Sequence, residues 1–138
     1  MMTGGCLCGG VRYEINGEPV AAGHCHCTAC QKATGTGHVS VMVTPRATVT
    51  LTGELKGYVS TGGSGGPITR NFCPTCGSLI YSEGLSMAAT INITAGSLDD
   101  PSQFKPMFAI YTAERHAWDA PGVTLMEFEA MPPARPAG

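Results

Sequence analysis

Seven cysteines in this 138-residue chain fall into three tight groups. They are Cys6-x-Cys8, Cys25-x-Cys27-x-x-Cys30 and Cys73-x-x-Cys76. Thiolates two or three residues apart converge on one metal, and two such pairs from distant points of a chain close a tetrahedral Cys₄ shell. Cys6, Cys8, Cys73 and Cys76 fill one shell and leave Cys25, Cys27 and Cys30 over. Three protein ligands keep a fourth corner for substrate or water, which is what a catalytic zinc requires. The expectation is two zinc ions per chain, one structural and one catalytic.

Other uses of the cysteines fit less well. A disulfide framework normally takes an even number in a short secreted chain. Here the number is odd, and Met1 to Gly10 has neither the basic start nor the apolar core of a secretory segment. Reduced thiols and a cytoplasmic location are therefore expected. A redox pair at Cys73 and Cys76 wants a βαβ setting that the flanking sequence does not suggest. Iron–sulfur ligation also uses four thiolates, and the colour of the purified protein separates it from zinc. A second structural zinc, with the triplet completed by a distant residue, is the bland alternative to a catalytic one. His24 and His26 flank Cys25, but in an extended stretch they point away from a metal facing Cys25 and Cys27. His38 and His116 read as surface or core histidines.

The glycines near the cysteines have a mechanical reading. Pro74 fixes one φ of the Cys73–Cys76 turn, and Gly77 admits the positive φ that a side chain would resist. Cys8 is likewise followed by Gly9. Backbone N–H groups in such a knuckle point at the thiolates. Binding one structural zinc is worth about 10–16 kcal/mol, as much as the ~5–15 kcal/mol net stability of an ordinary domain. Loss of the Cys₄ site should unfold the protein.

The elements that must position these groups are mostly strands. Val11, Tyr13 and Ile15 alternate with polar residues, as do Val39, Val41 and Val43, then Val49 and Leu51, then Ile91 and Ile93; this is the half-buried strand pattern. Strands are expected at 10–16, 37–43, 47–52, 55–60, 67–72, 78–82, 87–94 and 106–112, with a ninth at 123–129. Helix is scarce: one segment over 28–34 closed by Gly35 in the left-handed region, and one turn near 100–104 started by Asp100 and Pro101. Gly62 to Gly66 is a flexible loop without the Lys-Ser/Thr ending of a phosphate loop. The reading is one domain over 1–130 with a disordered tail over 131–138.

Composition agrees. Charged residues are 13% of the chain, about half the usual share. The 19 glycines and 10 prolines suit many turns. A net charge of −2 without a basic stripe argues against nucleic acid, and no apolar run approaches the ~18 residues of a membrane span.

Taken together, the motifs resemble the glutathione-dependent formaldehyde-activating enzyme family, to which centromere protein V also belongs. The carrying residues are Gly4-Gly5-Cys6-Leu7-Cys8-Gly9-Gly10-Val11-Arg12-Tyr13, Cys25-His26-Cys27-Thr28-Ala29-Cys30-Gln31-Lys32, Arg70-Asn71-Phe72-Cys73-Pro74-Thr75-Cys76-Gly77-Ser78 and Gly96-Ser97-Leu98-Asp99-Asp100-Pro101. The resemblance implies a mainly β, Mss4-like fold of small antiparallel sheets with zinc knuckles. It also implies structural zinc on Cys6, Cys8, Cys73 and Cys76 and catalytic zinc on Cys25, Cys27 and Cys30. Many relatives carry a His between Phe108 and Ile110 and a Lys-x-x-Trp ending, where this chain has Ala109 and Arg115-His116-Ala117-Trp118.

The implied partners are a small thiol such as glutathione and a small aldehyde such as formaldehyde. A free thiol of pKa ~8.5 is only about 3% ionised at pH 7, and a zinc with an open corner deprotonates a bound thiol outright. That gain is at most ~30-fold, so positioning of both reactants must supply the rest. Three thiolates leave the zinc complex at charge −1, which suits thiol binding better than hydroxide generation. The function expected is a carbon–sulfur lyase forming or cleaving an S-hydroxyalkyl adduct. The rival is a zinc-stabilised binding module without turnover. Lys32, Lys56, Arg70 and Arg115 are the candidate basic residues for holding glutathione carboxylates.

Overall fold

The alternating segments pair into two sheets in the computed structural model, which describes residues 1–63, 65–120, 122 and 124–133. Strands β1 (Met2–Gly5), β2 (Arg12–Ile15) and β5 (Val49–Thr52) form a three-stranded antiparallel sheet in the order β1-β2-β5. The larger sheet has the order β10-β3-β4-β9-β8-β7-β6. Its members are β3 (Ala21–Cys25), β4 (Val39–Pro45), β6 (Lys56–Thr61), β7 (Pro67–Phe72), β8 (Leu79–Gly84), β9 (Thr90–Thr94) and β10 (Phe108–Ile110). Among the described residues the one α-helix, α1, spans Thr28–Thr34. The architecture is mainly β with a single short helix, as the sequence suggested.

Two features correct the expectation of small antiparallel sheets. One sheet has seven strands, and its edge strand β10 runs parallel to β3. Parallel pairing needs a crossover connection. The chain supplies it between β9 and β10, through turns at Ala95–Ser97 and Pro101–Gln103. Gly23 makes the pairing possible, because a Cβ built there falls 2.3 Å from the Phe108 carbonyl oxygen and 2.5 Å from its ring.

Strands β1 and β3 were not legible. Met2-Thr3-Gly4-Gly5 and Ala21-Ala22-Gly23-His24-Cys25 hold almost no β-branched residues, and their conformation comes from their neighbours rather than from propensity. The expected strand at 123–129 is absent across 124–129, with Val123 outside the described residues. Leu125, Met126 and Phe128 are exposed, so those apolar side chains have no sheet to pack on. The 87–94 strand starts only at Thr90, after a 3-10 turn at Leu85–Met87, and 106–112 shortens to β10. Of the expected tail, 131–133 has no strand or helix, and 134–138 lies outside the described residues.

The core lies between the sheets. Val11, Tyr13 and Ile15 of the first sheet region meet Met42, Ile80, Ile91 and Ile93 of the second, all at most 2% exposed. Burying each of these isoleucines contributes about 1.5–3 kcal/mol. Cys6 and Cys73 belong to the same cluster, so the Cys₄ group lies at the end of the core and ties the two sheets together. Asp99 accepts from Arg12 Nη1 at 3.0 Å and from Thr3 Oγ1 at 2.7 Å. The Tyr13 hydroxyl lies 2.9 Å from Ser97 Oγ. These contacts fasten the 96–100 segment to the smaller sheet. Among the described residues no helix is long and apolar enough to cross a membrane.

Candidate metal centre

Two turns bring four cysteines to one point. Gly9 and Gly77 take φ of 81° and 77°, the left-handed conformation that lets each turn close after its second cysteine. The Gly9 N–H donates to the Cys6 carbonyl at 3.1 Å, and the Gly77 N–H to the Cys73 carbonyl at 2.8 Å. The Val11 N–H donates to Cys6 Sγ at 3.2 Å. The sulfurs of Cys6, Cys8, Cys73 and Cys76 all lie within 4.8 Å of one another, with Cys6–Cys8 at 3.5 Å and Cys8–Cys73 at 3.8 Å. Tetrahedral zinc with Zn–S bonds of about 2.3 Å spaces its sulfurs about 3.8 Å apart. The donor set fits that ion.

Charge is unevenly shared among these thiols. Cys76 is pulled down to about 5, chiefly by its hydrogen bond with the Ser78 hydroxyl at 3.3 Å. Cys8 has the backbone hydrogen bond of Gly10, but the neighbouring sulfurs of Cys6, Cys73 and Cys76 override it and push Cys8 up to about 11. Four sulfurs this close cannot all ionise without a cation among them.

The triplet is assembled by the junction of β3 and α1. Cys25 ends β3, Cys27 is the N-cap of α1, and Cys30 lies one turn into the helix. Residues three apart share a helix face, so Cys27 and Cys30 converge, and the Cys30 N–H donates to Cys27 Sγ at 3.3 Å. The helix closes on Gly35 at φ 73°, whose N–H returns to the Gln31 carbonyl. The three sulfurs lie within 4.8 Å of one another, and among the described residues no fourth His, Cys, Asp or Glu joins them. Cys25 is held below the usual thiol range by its hydrogen bond with Cys30, while the Cys25 sulfur and burial push Cys30 up. Burial raises Cys27. All seven cysteines are free thiols, and this soft, crowded donor set also suits zinc.

Of the four basic residues singled out, Arg70 is the one the structure brings to the triplet. Its Nη2 lies 3.8 Å from Cys30 Sγ, and its Nη1 donates to Ser60 Oγ at 2.8 Å. Arg70 sits on β7 opposite Tyr58 of the edge strand β6. Among the described residues, no hydrogen bond or ion pair joins the side chains of Lys32, Lys56 or Arg115 to a triplet sulfur.

The segment after β10 straps α1 in place. Glu114 Oε1 accepts from the Thr28 N–H at 3.2 Å and its hydroxyl at 2.9 Å. Gln31 Nε2 donates to the carbonyls of His26 and Glu114, and Gln31 Oε1 meets His116 Nε2 at 2.7 Å. His116 stacks on Trp118 with ring centroids 5.1 Å apart. Tyr111 opens this segment at φ 55°, and a Cβ on Gly63 would fall 2.4 Å from its hydroxyl. The β6–β7 loop therefore reaches across to the strand paired with Cys25.

His24 and His26 do turn away from the sulfurs. His24 Nδ1 meets Ser40 Oγ at 2.9 Å, and burial, then the neighbouring His38, lowers its basicity. His26, His38 and Asp119 form a third group of converging ligand atoms, which sequence reasoning missed. Asp119 is 81 residues from His38, and nothing in their spacing signals contact. A cavity of about 740 Å³ opens between the Cys₄ end and α1, with His38, Ser40, Leu7 and Ser78 among its walls. It does not open onto the triplet sulfurs.

A family model described as glutathione-dependent formaldehyde-activating enzyme matches residues 1–114. Among solved structures, the chain is similar to a Rhodobacter sphaeroides protein that was a structural-genomics target, with a TM-score of 0.55 and 21% identity. That match covers 71% of this chain and 88% of the other, and it speaks to the fold alone. No curated protein matches the chain.

Proposed function

Because the chain belongs to the glutathione-dependent formaldehyde-activating enzyme family, we propose that it is a carbon–sulfur lyase. It forms or cleaves an S-hydroxyalkyl adduct of a small, glutathione-like thiol and a small aldehyde. The observation that carries this reading is the triplet itself. Cys25, Cys27 and Cys30 converge without a fourth ligand residue among those described, and a cationic Arg70 stands beside them. In this reading Cys25, Cys27 and Cys30 hold a catalytic zinc, and Cys6, Cys8, Cys73 and Cys76 hold a structural one. The fold is read as Mss4-like, with the two glycine-closed cysteine turns as zinc knuckles. Free thiols throughout support a reducing compartment, the cytoplasm.

When bound, the triplet zinc would supply a low pKa for a thiol at its fourth position. The chain supplies the placement. Cys27 and Cys30 are fixed by the first turn of α1, and α1 is fixed by Gln31 and Glu114, so the donor triangle is rigid before substrate arrives. Arg70, oriented by Ser60, puts a positive charge where thiolate charge accumulates, and charge-assisted contacts of this kind are the strong ones. In the forward direction the thiol loses its proton, its sulfur forms a bond to the carbonyl carbon, and the C=O π pair moves to oxygen. That oxygen takes up a proton to give the hydroxyl. Cleavage is the reverse. Holding both reactants together supplies most of the acceleration, since ionising the thiol gains at most ~30-fold.

The test is exchange NMR on glutathione, formaldehyde and their adduct, with and without zinc-loaded protein. Faster interconversion with protein, abolished in Cys27→Ser, is the expected result. Unaltered exchange for formaldehyde and for other small aldehydes would leave a zinc-stabilised binding module as the better description.

A further inference from the structure

Beside the β3–α1 junction, three side chains from three parts of the chain converge. The geometry points to a third metal site, formed by His26 Nδ1, His38 Nδ1 and Asp119, for a borderline divalent transition ion such as zinc. His38 Nδ1 lies 2.8 Å and His26 Nδ1 3.1 Å from the same oxygen, Asp119 Oδ2. The three ligand atoms all lie within 4.8 Å of one another. Tetrahedral coordination at bonds of about 2.0–2.1 Å spaces its ligands about 3.3 Å apart, so small side-chain shifts would admit an ion.

A plain histidine–carboxylate pair accounts for His38, whose Nδ1 is hydrogen-bonded to Asp119. It does not account for His26. That ring is only 5% exposed, and its Nδ1 has no hydrogen-bond partner although it faces the carboxylate. A buried ring nitrogen left unpaired carries its full desolvation cost. One cation placed among the three atoms would satisfy both nitrogens and the carboxylate together. Two imidazoles and one carboxylate form a donor set that suits zinc and its neighbours rather than calcium or magnesium. Access is available, because His38 and Ser40 stand on the wall of the 740 Å³ cavity and the Asp119 side chain is 18% exposed.

The ion would pin the chain after β10 to β3 and β4. Asp119 lies in the turn Ala117–Asp119, downstream of the Glu114 and His116 contacts with α1. Metal at this point would hold the strap that holds the triplet helix. The site is independent of whether the triplet turns over substrate.

The experiment starts from protein carrying two equivalents of zinc and titrates in Co²⁺, following the ring nitrogens of the histidines by ¹⁵N NMR. A further equivalent should bind with paramagnetic perturbation of the His26 and His38 resonances and no new sulfur-to-cobalt charge-transfer band. Asp119→Ala and His38→Ala should weaken that binding by more than the roughly 10–100-fold that loss of an outer-shell partner costs, while retaining two zincs. Asp119→Asn keeps the side-chain shape but not the anionic donor, and should weaken it too. If His26 and His38 stay unperturbed at millimolar Co²⁺, the group is a hydrogen-bonded cluster only and the site is refuted. An extra equivalent that binds undiminished in all three variants would also overturn it, since the ion would then sit elsewhere.

Discussion

Arg70 and Cys8 carry the sharpest expectations at the level of single residues. Arg70 is the basic side chain in contact with the triplet, through Cys30 Sγ at 3.8 Å. Replacing it with Met keeps bulk and removes charge. A charge-assisted contact is worth about 1.5–3 kcal/mol, so Arg70→Met should weaken thiol binding about 10–100-fold with zinc content unchanged. Thiol titration alongside metal analysis measures both, and unchanged affinity would remove Arg70 from the site. The Cys₄ thiols give a pH dependence. Cys76, pulled to about 5, is ionised at neutrality, whereas Cys8, pushed to about 11, is protonated there. Zinc must displace that proton, so affinity should rise about tenfold per pH unit across neutrality for each proton released. It should fall more steeply below about 5, where Cys76 also takes up a proton. Competition against a chelator at several pH values checks the slope; a flat profile would mean that the apo thiols are already ionised.

At the level of elements, the two cysteine groups differ in what they join. Cys6 and Cys8 follow β1, while Cys73 and Cys76 stand between β7 and β8, so the Cys₄ turn pair links the two sheets at the end of the core. Cys25, Cys27 and Cys30 sit on one junction, β3 to α1. Cys73→Ser should therefore give unfolded or insoluble protein, losing metal binding worth about 10–16 kcal/mol. Cys27→Ser should stay folded with one zinc fewer. Circular dichroism and metal analysis separate the outcomes, and equal unfolding in both would make the triplet structural. The elements themselves were unevenly legible. Helix α1 and its Gly35 cap, the Asp100–Pro101 turn and most strands follow from local signals, because capping and alternation are local physics. Strands β1 and β3 were hidden because their residues have little propensity of their own. Cys25 therefore ends a strand that only its partners β4 and β10 specify.

For the whole molecule, the cysteine partition was readable because spacing restricts which thiols can share an ion, and the fold brings together the groups that spacing suggested. Placement of Arg70, Asp119 and the strap from Tyr111 to Asp119 depends on long-range topology that no local pattern encodes. The parallel β10–β3 edge is part of that topology: it brings the chain end back beside Cys25, where Ile110 pairs with it. The proposed function requires a triplet zinc whose fourth position accepts a thiol. X-ray absorption at the zinc edge tests this most directly, on protein loaded with two equivalents of zinc, before and after millimolar glutathione. A Cys₄ and a Cys₃ site together average about 3.5 sulfurs per zinc, and the account predicts a rise toward 4 on adding thiol. An average that stays at about 3.5, or that already equals 4 without thiol, would contradict it.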